Sequence, residues 1–247
     1  TPINILTLAV VCQGSTAIPL MFRLLPHQGN SSQAVRIEFI QQFIQTFGED
    51  QIEWLTADRE FIGKEWLRFL KENNIPFYIR IKQNQYLTDK NGKKQQPCFL
   101  LFQDRPTQVY YYHPTRVYLD GVEVYLSGHR LERNEYFIVV SWLYPEQAQA
   151  VYQQRWEIET MFKALKTKGF NLEQTAIRDR ERLHKLICIL SLAYAWAYRV
   201  GVWIDEQKIK RTTKRKFSFF SLGFRQLQRA IIAKKKKITH FIDLLDL

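Results

Sequence analysis

The residue types that suit phosphate chemistry lie close together in one stretch of the sequence: Tyr152, Arg155, Glu159 and Lys166. On an α-helix their spacing places all four within a stripe of about 60°. A carboxylate there suits a divalent cation, and cationic neighbours suit phosphate groups. The same spacing is typical of a solvent-exposed helix face with an ion pair between Arg155 and Glu159. Spacing alone leaves both interpretations open.

A second candidate carboxylate, Asp58, follows the short apolar segment 52–57, which is predicted to be a buried strand. Open α/β sheets bind their ligands beyond the carboxyl ends of strands, which favours a functional role for Asp58. An Asp after a strand is also a common turn or helix-cap residue. Neither Asp58 nor the helical stripe identifies a function by itself.

The elements that must position Asp58 are predicted to form an α/β unit. Helical spacing of apolar residues, with Ser31-Ser32 as cap and Gly48 as stop, predicts the first helix. The order ββαβαβ is that of an α/β sandwich with a mixed sheet. The predicted strands are 3–11, 16–25, 52–57 and 77–82, and the predicted helices are 31–47 and 63–73.

Beyond this unit the pattern changes twice. Residues 84–142 lack helical periodicity and predict a β-rich insertion separate from the first sheet, with a tight turn at Asp120-Gly121. From residue 145 the pattern is helical, and one continuous helix, 145–168, is predicted to carry the polar stripe. The predicted strands of the insertion are 98–102, 109–112, 116–119, 122–126 and 136–142, and the two later helices are 180–205 and 218–233.

The charge of the chain is concentrated at one end. The 36 basic and 24 acidic residues give a net charge of +12. Residues 1–150 hold 15 of each, so the whole excess belongs to residues 151–247. A positive electrostatic field at one end of the chain favours a polyanionic partner, most often nucleic acid. A solvated surface or a membrane-facing patch is the alternative, also for the basic tracts 208–216 and 234–237.

Cysteine content and hydropathy exclude other classes of protein. Cys12, Cys98 and Cys188 are odd in number and far apart, which excludes a disulfide framework or a zinc pattern and favours a reducing cytosol. The longest apolar run, 186–198, is too short to span a bilayer and predicts a buried helix.

The carboxylates and cationic residues together resemble a known family. The segment 57–61 (Ala-Asp-Arg-Glu-Phe) and the Tyr152, Arg155, Glu159, Lys166 signature resemble the DDE transposases of bacterial insertion sequences, specifically the IS-four family. That family also has a β-rich insertion before its Glu. Further segments that resemble the family are 1–11, 17–20, 155–159 and 162–163.

The resemblance implies a ribonuclease H-like core in which three carboxylates hold two divalent metals, Mg²⁺ or Mn²⁺, for phosphoryl transfer. Asp58 would be the second carboxylate and Glu159 the third. Tyr152, Arg155 and Lys166 would contact DNA phosphates. The implied partners are double-stranded DNA, both transposon ends and target DNA, and a second copy of the chain, with no membrane, in the bacterial cytoplasm at the nucleoid.

The sequence departs from the family at the first catalytic Asp. The first acidic residue is Glu38, which falls in a predicted helix. We therefore expect the chain to begin after the first ligand, to lack the first core strand and to be inactive. The alternative is a non-catalytic DNA-binding or dimerisation module that interferes with intact transposase. The expected division is 1–83 (first part of the core), 84–142 (β insertion), 143–205 (helical completion carrying Glu159) and 206–247 (basic helical segment).

Overall fold

The computed structural model describes residues 4–12, 16–207, 217–232 and 242. The basic tracts 208–216 and 234–237 lie outside the described residues. Two compact units are present: the sheet unit, Gly29–Arg155, and the hairpin–helix unit, made of Thr1–Gln28 and Trp156–Leu247. Each unit is described by itself below.

Strands and helices are interspersed in the first part of the chain, strands without α-helices follow over residues 77–141, and the last part is helical. The strands and helices, in chain order, are β1 (Asn4–Cys12), β2 (Thr16–Leu25), α1 (Gln33–Phe47), β3 (Leu55–Ala57), α2 (Lys64–Glu72), β4 (Phe77–Ile81), β5 (Tyr86–Thr88), β6 (Lys94–Pro97), β7 (Tyr111–Tyr112), β8 (Val117–Leu119), β9 (Val122–Arg130), β10 (Tyr136–Ser141), α3 (Ala148–Gln153), α4 (Trp156–Lys163), α5 (Arg180–Glu206) and α6 (Phe219–Ile232). Single 3₁₀ turns lie at Glu49–Gln51, Cys98–Leu101, Glu132–Asn134, Pro145–Gln147 and Leu172–Gln174, and a π-helical turn lies at Ala164–Lys168.

The predicted order ββαβαβ is confirmed for the first six elements. Helix α1 begins where Ser32 accepts a hydrogen bond from the Val35 N–H at 3.3 Å, and it ends at Gly48, whose φ of 96° few other residues adopt. The hairpin between β8 and β9 turns at Asp120-Gly121, both with positive φ, as predicted.

The sheet unit contains one continuous eight-stranded sheet in the order β3-β4-β10-β9-β8-β5-β6, with β7 paired to β9. Strands β3 and β4 are parallel, and the other pairs are antiparallel. The predicted separation of the insertion from the first sheet is therefore wrong, because β10 pairs with β4 on one side and with β9 on the other. The strand predicted at 98–102 is also wrong, since that segment is a 3₁₀ turn and an adjoining turn residue.

The sheet is buried along its middle. Its central strands bury large apolar side chains on both faces, as expected for a sheet covered on both sides. The α1 and α2 helices pack against each other, and the short α3 packs against β4 and β10. Cys98 is fully buried, and all three cysteines are free thiols.

The hairpin–helix unit packs an isolated two-stranded sheet, β1–β2, against α4 and α5. Ala17 of β2 is buried with Met161 of α4 and Tyr194 of α5. Helices α5 and α6 approach closely at Gly201 and Gly223, where a Cβ would overlap a carbonyl oxygen of the other helix.

Helix α5 is long and apolar enough to cross a membrane by length and composition. Its prediction as a buried helix holds for one side only. Tyr194 and Ala197 lie in the core, whereas Ile189 and Leu192 are exposed. Core helices of soluble proteins reach the same hydropathy.

Candidate functional site

Asp58 occupies the first position after β3, at the carboxyl end of that strand. Its Oδ1 accepts a hydrogen bond from the Arg59 N–H at 2.8 Å, and its carbonyl accepts one from the Phe61 N–H at 2.8 Å. These two bonds fold the chain into a tight turn and fix one carboxylate oxygen against the backbone. The side chain is 47% exposed, so Oδ2 is accessible.

Arg155 faces this second oxygen. Its Nη1 lies 3.9 Å from Asp58 Oδ2, at the outer limit of an ion pair. The Arg155 side chain is only 16% exposed, so its stem is held in the protein while its guanidinium reaches the carboxylate. Two of the residues singled out from the sequence are thus brought together.

Tyr152 lies beneath Arg155. It is 5% exposed and packs with Tyr78, Val139 and Val151. The Arg155 Cζ lies 5.5 Å from the centre of the Tyr152 ring, within cation–π range. Burial raises the pKa of Tyr152, and the nearby Arg155 acts in the opposite direction, so the hydroxyl remains neutral at physiological pH.

The next ring in this cluster belongs to Phe137 on β10. It meets the Tyr152 ring edge to face, with centroids 5.4 Å apart, and it carries a second guanidinium: the Arg80 Cζ lies 5.4 Å from its centroid. Arg80 is not among the residues that the sequence predicted for the site. The available signal was a single charge inside the strand segment Phe77–Ile81, whose other residues are all buried apolar or aromatic side chains.

The predicted continuous helix 145–168 is wrong. The chain forms a 3₁₀ turn, then α3, which ends at Gln153, then a turn in which the Arg155 N–H donates to the Tyr152 carbonyl at 3.0 Å. Helix α4 starts at Trp156, and the predicted last turn is π-helical. This break divides the predicted stripe, because Tyr152 and Arg155 belong to the sheet unit while Glu159 and Lys166 belong to the hairpin–helix unit.

Glu159 and Lys166 are both exposed in their own unit. Glu159 lies in the first turn of α4, where the helix dipole favours a negative charge. Lys166 lies in the π-helical turn, with its Nζ 5.7 Å from the Phe162 ring centre. Both side chains are accessible to ligands that arrive from solvent.

The donor chemistry of Asp58 suits a hard divalent cation, because an accessible carboxylate oxygen is the ligand that Mg²⁺ and Mn²⁺ prefer. The Arg155 guanidinium now faces that oxygen. No group of three or more Asp, Glu, His or Cys side chains within the described ranges could hold a metal. The described residues therefore offer single carboxylates rather than an assembled metal site.

Comparison with known proteins identifies the family of the chain and a related fold. The family model described as "Transposase DDE domain" matches residues 4–196. The fold is similar to that of the piggyBac transposase in its synaptic complex with hairpin DNA, determined by cryo-EM, with a TM-score of 0.51 and 13% identity. The alignment covers 98% of this chain and 50% of the piggyBac chain, so the chain spans about half the length of that protein.

No curated protein matches the sequence. The likeness to piggyBac transposase shows that the mixed α/β fold, with its mostly antiparallel sheet, is of the same kind. The family match extends over most of the chain. This protein therefore belongs to the family of DDE transposases.

Proposed function

We propose that this chain is part of a transposase that cuts transposon ends and joins them to target DNA. The observation that carries the proposal is the match to a transposase DDE domain over residues 4–196, with Asp58 at the carboxyl end of β3 and Arg155 facing it. The finer assignment, to the IS-four family, is supported by the Tyr152, Arg155, Glu159, Lys166 signature.

We assign Asp58 and Glu159 as metal-binding carboxylates. When bound, Mg²⁺ or Mn²⁺ would activate the attacking oxygen and stabilise the leaving one. Arg155 suits a bidentate contact to a phosphate, and Lys166 supplies a point charge on a flexible stem. Tyr152 is assigned to the same DNA surface through the Arg155 side chain that it supports.

The proposed partner is double-stranded DNA, bound by a pair of chains. The net charge of +12 in residues 151–247 supports a polyanionic partner. The piggyBac transposase, whose fold is similar, is known in complex with hairpin DNA. The alternative is a non-catalytic module that binds DNA or intact transposase. The positive charge of residues 151–247 supports DNA binding in this alternative as well.

The deciding experiment uses labelled duplexes that tile the DNA on both sides of the coding sequence, incubated with the chain in Mn²⁺. We expect binding without cleavage. Cleavage that disappears in Asp58→Asn and in Glu159→Gln would establish the catalytic form instead. Asp104→Asn and Glu173→Gln, which alter exposed carboxylates in the same two units, are the matched controls.

Two further measurements complete the test. Electron paramagnetic resonance measures how much Mn²⁺ each of the four variants binds. It therefore tests the metal-binding role of each carboxylate without any need for cleavage. Co-expression with an intact transposase of the same family should lower transposition if the chain is an interfering module. Failure to bind any of the duplexes would contradict the DNA function itself.

A further inference from the structure

Arg80 is the only charged residue of β4, and its surroundings differ from those of the rest of that strand. Phe77, Ile79 and Ile81 are buried on one face of the sheet, while Tyr78 and Arg80 lie on the other face. A charged side chain in a central strand is costly unless it is paired or reaches water. Arg80 is half-buried, so its guanidinium lies at the boundary between the aromatic cluster and solvent.

The strand register places Arg80 beside Asp58. In the parallel β3–β4 pair, Ala57 is opposite Ile79. The next residues are Asp58, in the turn just after β3, and Arg80, within β4. Both lie toward the carboxyl ends of the parallel strands β3 and β4. The charges of Asp58, Arg80 and Arg155 all influence the pKa of the Tyr152 hydroxyl. All three charged groups therefore lie near that hydroxyl.

The two arginines are held in the same manner. Arg155 lies over the ring of Tyr152, and Arg80 lies over the ring of Phe137. Those two rings are in direct edge-to-face contact, so one rigid aromatic pair supports both guanidiniums. A guanidinium held by a cation–π contact uses none of its N–H donors on that contact, so they are available to a phosphate.

The Arg80 side chain differs from that of Arg155 in facing no carboxylate within the described residues. Asp58 Oδ2 faces Arg155, whereas within the described part of the chain the side chain of Arg80 makes no hydrogen bond and no ion pair. A guanidinium carries five donors, and leaving them without acceptors at a half-buried site is unfavourable. The local charge of the site, two guanidiniums against one carboxylate, is positive.

We propose that Arg80 is a phosphate-binding residue of the Asp58 site and that Phe137 is the positioning residue that holds it there. This inference rests on the proposed DNA function. The ligand is the phosphate backbone of DNA at the carboxyl ends of β3 and β4, contacted by Arg80 and Arg155. The contact is independent of base sequence, because phosphates carry no sequence information directly.

The test is the salt dependence of DNA binding, measured by fluorescence anisotropy with a labelled duplex and the full chain. Each phosphate contact adds about 0.9 to the negative slope of log K against log salt concentration. Arg80→Gln should reduce that slope by about 0.9. Arg68→Gln, which removes the same charge from the exposed face of α2 in the same unit, should leave the slope unchanged.

Conservative variants separate positioning from folding. Arg80→Lys keeps the charge and should keep the slope while lowering affinity, because an ammonium lacks the planar fork. Phe137→Leu should lower both the DNA affinity and the salt slope. Phe137→Trp retains an aromatic face and should keep both close to those of the unaltered chain. Thermal unfolding of each variant verifies that it is folded under the binding conditions.

The outcomes distinguish this inference from the proposed function. If the unaltered chain binds no DNA, both are overturned. If it binds and Arg155→Gln reduces the slope while Arg80→Gln behaves like Arg68→Gln, only the role of Arg80 is overturned. Equal effects of Phe137→Leu and Phe137→Trp would overturn the positioning role of Phe137.

Discussion

The Asp58 carboxylate and the Arg155 guanidinium face each other at 3.9 Å, one at the end of a strand and the other in the turn after α3. In that turn the Arg155 N–H donates to the Tyr152 carbonyl at 3.0 Å. The pair is loose and partly exposed, and such ion pairs contribute about 0–1 kcal/mol to stability. The pair therefore does little to hold the sheet unit together.

The first prediction concerns Asp58→Asn. The amide oxygen can still accept from the Arg59 N–H, and only a weak ion pair is lost. We expect the free energy of unfolding in urea to change by less than about 1 kcal/mol. A loss of several kcal/mol would show that Asp58 has a structural role and would count against its assignment to the site.

The second prediction concerns Tyr152→Phe. The Tyr152 hydroxyl is buried and makes no hydrogen bond of normal length among the described residues. Removing a buried hydroxyl without a partner leaves stability unchanged or raises it by up to about 1–2 kcal/mol. Chemical denaturation measures this. The phenyl ring of the variant would still support Arg155, so a substantial fall in DNA affinity would instead mean that the hydroxyl itself contacts the ligand.

The third prediction concerns Gly128, on β9 opposite Ile138. A Cβ there would overlap the carbonyl oxygen of Phe137. Gly128→Ala should therefore lower the free energy of unfolding by about 1–3 kcal/mol. Gly92→Asn is the control, because nothing lies within 4 Å of a Cβ at Gly92 and Asn tolerates its positive φ. Equal stability of the two variants would contradict the close approach of β9 and β10.

The fourth prediction is a pH dependence that arises from His129. Its ring stacks on Phe137 with centroids 5.2 Å apart, and burial lowers its pKa from 6.5. The unfolded chain therefore binds this proton more readily than the folded chain, so stability decreases as the pH falls below about 6.5. His129→Phe should remove this part of the pH dependence, as measured by urea unfolding across the range. Identical pH profiles for the two proteins would show that the His129 ring is not desolvated.

Local sequence patterns predicted the elements near Asp58 well. The capped helix α1, the glycine stop at Gly48 and the Asp120-Gly121 hairpin all depend on residues a few positions apart, and all are confirmed. The pairing of β4 with β10 joins segments nearly sixty residues apart, and no local pattern encodes it. For that reason the sheet was predicted as two sheets.

The site was predictable only in part. Asp58 was found because a single carboxylate followed a short apolar strand, and Arg155 because it lay at helical spacing from Glu159. The break after Gln153 carries no Gly or Pro, so periodicity extended the helix through it. Arg80 was missed because its significance depends on the strand register beside Asp58 and on the ring of Phe137.

The arrangement of the two units has a consequence for synthesis of the protein. The β1–β2 hairpin leaves the ribosome before the sheet unit, but the helices that cover it, α4 and α5, follow the whole sheet unit. At about 5–20 residues per second the hairpin waits on the order of ten seconds for them. During that interval Ala17 and its apolar neighbours are uncovered, while the contiguous sheet unit can already fold. The hairpin is thus made before the sheet unit but packed after it, and a chaperone has that interval in which to act on it.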